Sequence, residues 1–353
     1  MTAPTADPAR SLSAANRKLV RYWLYFIAFL VAMMVIVGGA TRLTDSGLSI
    51  TEWKPLLGAI PPISEAHWLE EFAKYKLIPE YQEINKGMSL DAFKFIYWWE
   101  WGHRFLGRFV GLAFALPLAF FWITGRLNAH LKPRLVLLLV LGGLQGAIGW
   151  WMVASGLVDR TDVSQYRLAV HLTLACVIFA YAIWLARGLA PHTTEPASRG
   201  SSRTAAILVG LILFQIYLGA LVAGLNAGLA FNTWPKMDGA WWPSGLHAME
   251  PLWRNYFESP KTVQFVHRLG AYLVLIAAFV HMIQLLRSEA GTRHARRGLV
   301  LMALVAAQAM LGIITLVLAV PLDWALFHQG GAVVVLGFAV AHLRGMRATA
   351  QRV

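Results

Sequence analysis

Glu100-Trp101-Gly102-His103-Arg104, at the head of one long apolar run, returns as Gln264-Phe265-Val266-His267-Arg268 at the head of another. Outward from these two stretches the chain divides into halves of four apolar runs each. Asp45-Ser46-Gly47-Leu48 and then Trp53-Lys54-Pro55 follow the first run, as Asn226-Ala227-Gly228-Leu229 and then Trp234-Pro235-Lys236 follow the fifth. His171 near the start of the fourth run matches His328 near the start of the eighth, and Gln145 with Gly149 in the third echoes Gln308 with Gly312 in the seventh. Four crossings return a chain to the side it left, so the copies share one orientation and a pseudo-twofold along the membrane normal is expected.

The runs are membrane spans by composition. Of 353 residues, 58% are hydrophobic and only 14% charged, with a mean hydropathy of +0.55, far from a soluble domain. Eight stretches, near 20–41, 104–124, 134–154, 167–187, 204–225, 263–286, 298–319 and 325–343, reach the roughly 20 residues that cross a hydrocarbon core. The expected fold is an all-α integral membrane protein whose eight transmembrane helices form two pseudo-symmetric four-helix bundles. The first bundle takes residues 1–190 with a long outer loop over 42–102, the second takes 204–353, and 191–203 is a linker broken by Pro191 and Pro196. Ser64 to Tyr75 and Ser89 to Trp98 have the pattern of short amphipathic helices lying over the outer face.

A net charge of +13 raises nucleic acid as a partner, but its distribution argues for a membrane topology signal instead. Arg17, Lys18 and Arg21 precede the first span, Arg126, Lys132 and Arg134 follow the second, and Arg187, Arg199 and Arg203 follow the fourth. Arg287, Arg293, Arg296 and Arg297 follow the sixth, and Arg344, Arg347 and Arg352 end the chain. Asp7, Glu195 and Glu289 alone oppose them, so this side is cytoplasmic with both termini inside. No cleavable signal peptide is visible. The single cysteine, Cys176, lies inside the fourth span as a small hydrophobe and offers no disulfide. Most tryptophans, Trp53, Trp98, Trp101, Trp150, Trp234 and Trp241 among them, fall on the outer side. Part of that set is an interfacial belt, and the rest suggests an aromatic lid.

Four histidines, His103, His171, His267 and His328, stand at the outer ends of spans, two in each half. Imidazoles facing one another across a bundle interior hold a b-type haem iron. Zinc fits less well, because no thiolate or third and fourth ligand accompanies either pair. Arg104 and Arg268 directly follow histidines and Arg108 lies one turn further, placing guanidinium groups where haem propionates are bound or where side chains snorkel to headgroups. Glu100, three residues before His103, has Gln264 as its counterpart. A site that activates oxygen needs proton transfer and one that only carries electrons does not, so Glu100 marks the first half as the candidate catalytic one. His281 and His342 lie fourteen residues after His267 and His328, the spacing of helices that carry two stacked haems. Against a second, inner haem, the first half has Pro117 and Leu185 at those places and Arg344 sets His342 at the inner interface.

Together these residues resemble the haem A synthase family. The matching stretches are Gly38 through Ser49, Trp53-Lys54-Pro55, Glu100 to Arg104 with Gly107-Arg108, His171, Val266-His267-Arg268 and Phe327-His328-Gln329, in order over nearly the whole chain. The resemblance implies oxidation of the methyl group at pyrrole carbon 8 of haem O to a formyl group. It implies His267 and His328 as axial ligands of a bound haem b, and His103 and His171 with Glu100 as the site that receives haem O. It further implies an unidentified electron donor, with haem O synthase, oxidase assembly factors and a homo-oligomer as candidate associations in a bacterial inner membrane. Some members carry a cysteine pair in the first outer loop; this chain lacks it and is similar to the cysteine-free proteobacterial and mitochondrial group. An electron-transfer cytochrome b, with equivalent halves, is the alternative from another class. A two-half transporter would want broken helices near the midplane, and the spans show few interruptions.

Overall fold

Apolar runs that must satisfy their backbone inside a bilayer become helices, and the computed structural model describes residues 12–55, 57–190 and 197–347 as such a helical array. Arg352, Asp7, Glu195 and the first part of the linker, 191–196, lie outside the described residues. Among the described residues ten α-helices run in order: α1 (Ala14–Leu43), α2 (Glu65–Tyr75), α3 (Leu90–Ile123), α4 (Lys132–Val153), α5 (Gln165–Gly188), α6 (Arg199–Gly224), α7 (Asn255–Glu258), α8 (Pro260–Ser288), α9 (Arg293–Val317) and α10 (Leu322–Met346). All but α2 and α7 are long and apolar enough to cross a membrane, which makes the eight expected spans.

The two halves pack alike. Contacts of α1 with α3 and α5, and of α4 with α3 and α5, are matched by those of α6 with α8 and α10, and of α9 with α8 and α10. The α3–α4 seam is sparser than its counterpart between α8 and α9. Helices α1, α5, α6 and α10 stand at the centre, and buried residues of both halves, including Leu24, Ala182, Leu208 and Leu336, belong to one continuous core. The turn after each half's first helix is also repeated: Asp45 and Asn226 both adopt the left-handed conformation, with φ of 48° and 51°. Arg42 joins the two turns, donating to Asp45 Oδ1 at 3.1 Å and to Asn226 Oδ1 at 2.9 Å.

One expectation is revised. The segment from Ser89 is not a separate surface helix but the start of α3, which runs 34 residues from a Ser89 cap. With no glycine or proline between Leu90 and Trp101 to break it, the helix is about 50 Å long, roughly 20 Å more than the hydrocarbon core. Its first turns therefore project outward and carry an aromatic layer. Ser64 caps α2 through His67 N, and Trp68, Phe72 and Tyr75, spaced along one face, pack on Phe93, Ile96 and Tyr97 of α3. Phe72 stacks on Phe93 at 4.8 Å. Burying each such ring contributes about 1.5–3 kcal/mol.

Within this layer lies a carboxyl away from water. Glu80 is 5% exposed and its Oε2 has no hydrogen-bond partner. Burial, reinforced by the charges of Glu100, Asp45 and Asp162, pushes its pKa up to about 8. A carboxyl raised above its unfolded value favours the folded form while protonated, so that stabilisation is present at low pH and is lost as pH rises through about 8. Amide protection in α2 and the following turn, taken relative to the intrinsic exchange rate at each pH, is expected to fall between pH 5 and 8, and Glu80→Gln to abolish that fall; an unchanged fall in the variant would refute it.

Candidate functional site

At the outer end of each half two imidazoles lie near one another. His103 on α3 and His171 on α5 are close enough to interact electrostatically, as are His267 on α8 and His328 on α10. All four rings are half-buried rather than sealed in the core, as rings facing a crevice would be. Each ring reaches into a helix seam at a glycine. A Cβ placed on Gly38 of α1 would stand 3.1 Å from His103 Nε2, and one on Gly149 of α4 would stand 2.9 Å from His171 Cε1. In the second half, Gly219 of α6 and Gly312 of α9 give 3.1 Å to His267 Cε1 and 2.7 Å to His328 Cε1. No larger residue fits any of the four places without moving a ring.

One turn before three of these glycines stands a glutamine. Gln215 Nε2 donates to the His267 carbonyl at 2.9 Å and lies 3.0 Å from its ring Nδ1. Gln308 makes the same pair of contacts to His328, at 2.7 and 3.0 Å. Gln145 donates to the His171 carbonyl at 3.0 Å, but reaches the ring only at 3.5 Å through Nε2, and His171 Nδ1 is buried without a partner. The fourth position is Met34, which ends at Gly107, one turn beyond His103. No hydrogen bond to the His103 ring is made by the described residues. The histidines of the second half are thus held by side-chain amides, and those of the first are held loosely or not at all.

The arginines clamp the outer loops. Arg104 donates to the carbonyls of Ile50 (2.7 Å) and Glu52 (3.1 Å), and Arg268 donates to those of Phe231 and Thr233, both at 2.8 Å. Ile50 matches Phe231 and Glu52 matches Thr233, so the two arginines hold the same two positions of the repeat. Glu100, 2% exposed, accepts from Arg104 Nη2 at 2.6 Å and from Ser49 Oγ and Ile50 N at 2.7 Å each. Gln264 does the same work neutrally. Its Oε1 accepts from Arg268 at 2.9 Å, and its Nε2 donates to the Ala227 and Ala230 carbonyls at 2.7 Å. Arg108 holds the Pro55 and Lys54 carbonyls at 2.7 and 3.0 Å. Two guanidinium donors remain buried without partners, Arg108 Nη1 and Arg268 Nε. Trp150 lies under Arg104 at 5.8 Å and meets Trp53 edge-on at 5.2 Å, an aromatic cover over the first site.

Paired imidazoles at one end of each half, with orphaned guanidinium donors one to five residues further along the same helices, have the chemistry to hold a haem and its propionates in each half. His281 and His342 do not make a third such pair. They are 1% and 0% exposed and their Nε2 atoms are 3.1 Å apart in a direct contact, whereas an iron bound between two imidazoles needs about 2 Å on each side. Thr204 Oγ1 lies 2.7 Å from His281 Nδ1.

The four histidines, Glu100 and the three arginines expected from the sequence fall at the same end of the helices, one group in each half. Sequence reasoning missed Gly219, Gln215 and Met34, and gave Gly38 no place beside a histidine. The signal was present: the Gln-x-x-x-Gly spacing noted at Gln145 and Gln308 recurs at Gln215, and Met34 is where it fails.

Residues 21–340 match the family described as cytochrome oxidase assembly protein. Curated relatives named "Heme A synthase" include one from Chelativorans sp. (strain BNC1), 60% identical over 98% of this chain and 95% of its own length. Another from Sinorhizobium medicae is 60% identical over 94% and 90%, and one from Agrobacterium fabrum is 61% identical over 94% and 91%.

Gly312→Ala is expected to push the His328 ring aside, costing about 1–3 kcal/mol and the visible absorption of a bound haem in purified protein. Gly146→Ala on α4, where nothing lies within 4 Å of the new Cβ, is expected to keep it; equal absorption in both variants would contradict the assignment.

Proposed function

Since this chain belongs to the cytochrome oxidase assembly protein family, with curated heme A synthases as its relatives, we propose that it is a haem A synthase oxidising the C8 methyl of haem O to a formyl group. Haem b is the resident cofactor of the second half, held by His267 and His328 with Arg268 near its propionates. Bound there, it supplies one-electron chemistry. Haem O, the substrate, enters the first half at His103 and His171, with Arg104 and Arg108 beside its propionates. The enzyme is a multi-pass protein of a bacterial inner membrane with cytoplasmic termini, and both sites lie on the outer side.

The observation that carries this reading is the unequal support of the two histidine pairs. A resident cofactor needs ligands whose orientation is fixed by a second layer of contacts, and Gln215 and Gln308 supply it by fastening the His267 and His328 carbonyls while their amides pack against the rings. A substrate that must leave as product needs ligands that let go. Met34 withholds an amide from His103, and Gln145 holds the His171 backbone rather than orienting its ring. A cytochrome that only passes electrons would have no use for such inequality.

Glu100 is the proton-handling group in this reading. Gln264 shows that the clamp on the outer loop folds without a carboxylate, so the charge at Glu100 is there for another purpose. Turning a methyl into a formyl group through successive hydroxylations and loss of water requires protons to be moved along with electrons, and Glu100, hydrogen-bonded to the Ser49 hydroxyl one turn before His103, is placed to relay them. Arg104 keeps the carboxylate oriented and offsets its charge.

Glu100→Gln is expected to preserve helix content and bound haem b while lowering haem A output by about 10²–10⁴-fold; full output would refute the proton role. Met34→Gln is expected to raise the haem O or haem A that copurifies and to slow turnover several-fold, with haem b unchanged. Extraction of pigments and their masses reads both, and less first-site haem in Met34→Gln would count against the exchange reading.

A further inference from the structure

The inner ends of α4, α5, α9 and α10 meet in a patch that the haem sites do not use. Arg134, Tyr181, Trp184, Leu185, Arg344 and Arg347 line a cleft of about 390 Å³ there. Arg344 and Arg347 lie over the Trp184 ring at 5.2 and 5.9 Å. Two more arginines lie against the neighbouring residue Gly345. A Cβ on Gly345 would stand 2.9 Å from Arg297 Nη1 and 3.6 Å from Arg187 Nη2, so both guanidinium groups converge on one gap that only glycine leaves open. Gly188 plays the same part for Arg344, whose Nη2 is 2.9 Å from the place of its Cβ.

Like charges drawn together need a reason. Among the described residues no carboxylate pairs with Arg134, Arg187, Arg297 or Arg344. Glu289 on the same side is turned to the Ser198 amide at 2.8 Å. The Nε atoms of Arg187 and Arg344 are buried and make no hydrogen bond. A positive-inside signal requires basic residues on this side but not convergence with orphaned donors. An anion with several oxygens satisfies those donors and removes the repulsion.

We propose that this cleft binds the phosphate headgroup of an anionic phospholipid. The shared chemistry is phosphate. A lipid is favoured over free phosphate because the cleft opens at the ends of membrane-spanning helices, with an interfacial tryptophan and tyrosine in its wall. Its ligand would tie α5 of the first half to α9 and α10 of the second.

The test is native mass spectrometry and thermal unfolding of the full chain in nanodiscs of phosphatidylcholine alone, or of phosphatidylcholine doped with cardiolipin, with inorganic phosphate added to the first as a separate arm. Cardiolipin is expected to remain bound and to raise the unfolding temperature, and inorganic phosphate to do neither. Arg187→Gln with Arg344→Gln is expected to lower cardiolipin retention about tenfold or more, while Arg126→Gln, at the inner end of α3, leaves it unchanged. An equal loss in Arg126→Gln, an equal shift by inorganic phosphate, or no retention by the unsubstituted chain would each overturn the proposal. The last two readouts need no variant to fold.

Discussion

Four glycines, each facing an imidazole across a helix seam, are the constraint on which the rest of the structure depends. In a bilayer a polar ring must be held by the protein, because no water competes for it. Gly38, Gly149, Gly219 and Gly312 let the rings enter seams that any larger residue would close. The rings then sit at the outer ends of the helices, in reach of the loops. Arg104 and Arg268 fasten those loops through matching carbonyls, and Arg42 ties the two repeat turns together. Fold and site share this scaffold.

On it the halves are made unequal by a few side chains. Glu100 and Gln264 occupy one position and do one mechanical job, but the first neutralises its arginine and the second leaves Arg268 with its full charge. Breaking a buried pair such as Glu100 with Arg104 by removing one charge is costly unless another group takes over the hydrogen bonds, and an amide does so. Met34 and Gln215 differ in the same way: one offers a thioether, the other an amide beside the ring. Two changes within one repeat thus separate a histidine pair packed against two amides from one that lacks an amide at His103 and has an ionisable neighbour.

Much of this could be read from the amino-acid order alone. Eight apolar runs, a one-sided set of arginines and a duplicated His-Arg pair are strong, local signals, and they define the spans, the repeat and the two sites. The helix from Leu90 was harder, because an amphipathic start and an apolar continuation look like two elements when no residue between them marks the absence of a break. The contacts of the central helices α1, α5, α6 and α10 are long-range and leave no periodic trace. His281 and His342 show a spacing suited to a haem, and only the distance between their rings, 3.1 Å from nitrogen to nitrogen, shows them touching instead. Met34 escaped notice because it is the missing member of a pattern, visible once the other three are seen around their rings.

The central claim is that one histidine pair keeps its haem and the other exchanges it. Single substitutions of His267 and His103 by alanine, each followed by identification of the haems retained on the purified chain, test it directly. Loss of haem b from His267→Ala, with haem b kept and haem O and haem A both missing from His103→Ala, is the predicted result. Loss of haem b from His103→Ala with retention in His267→Ala would contradict it.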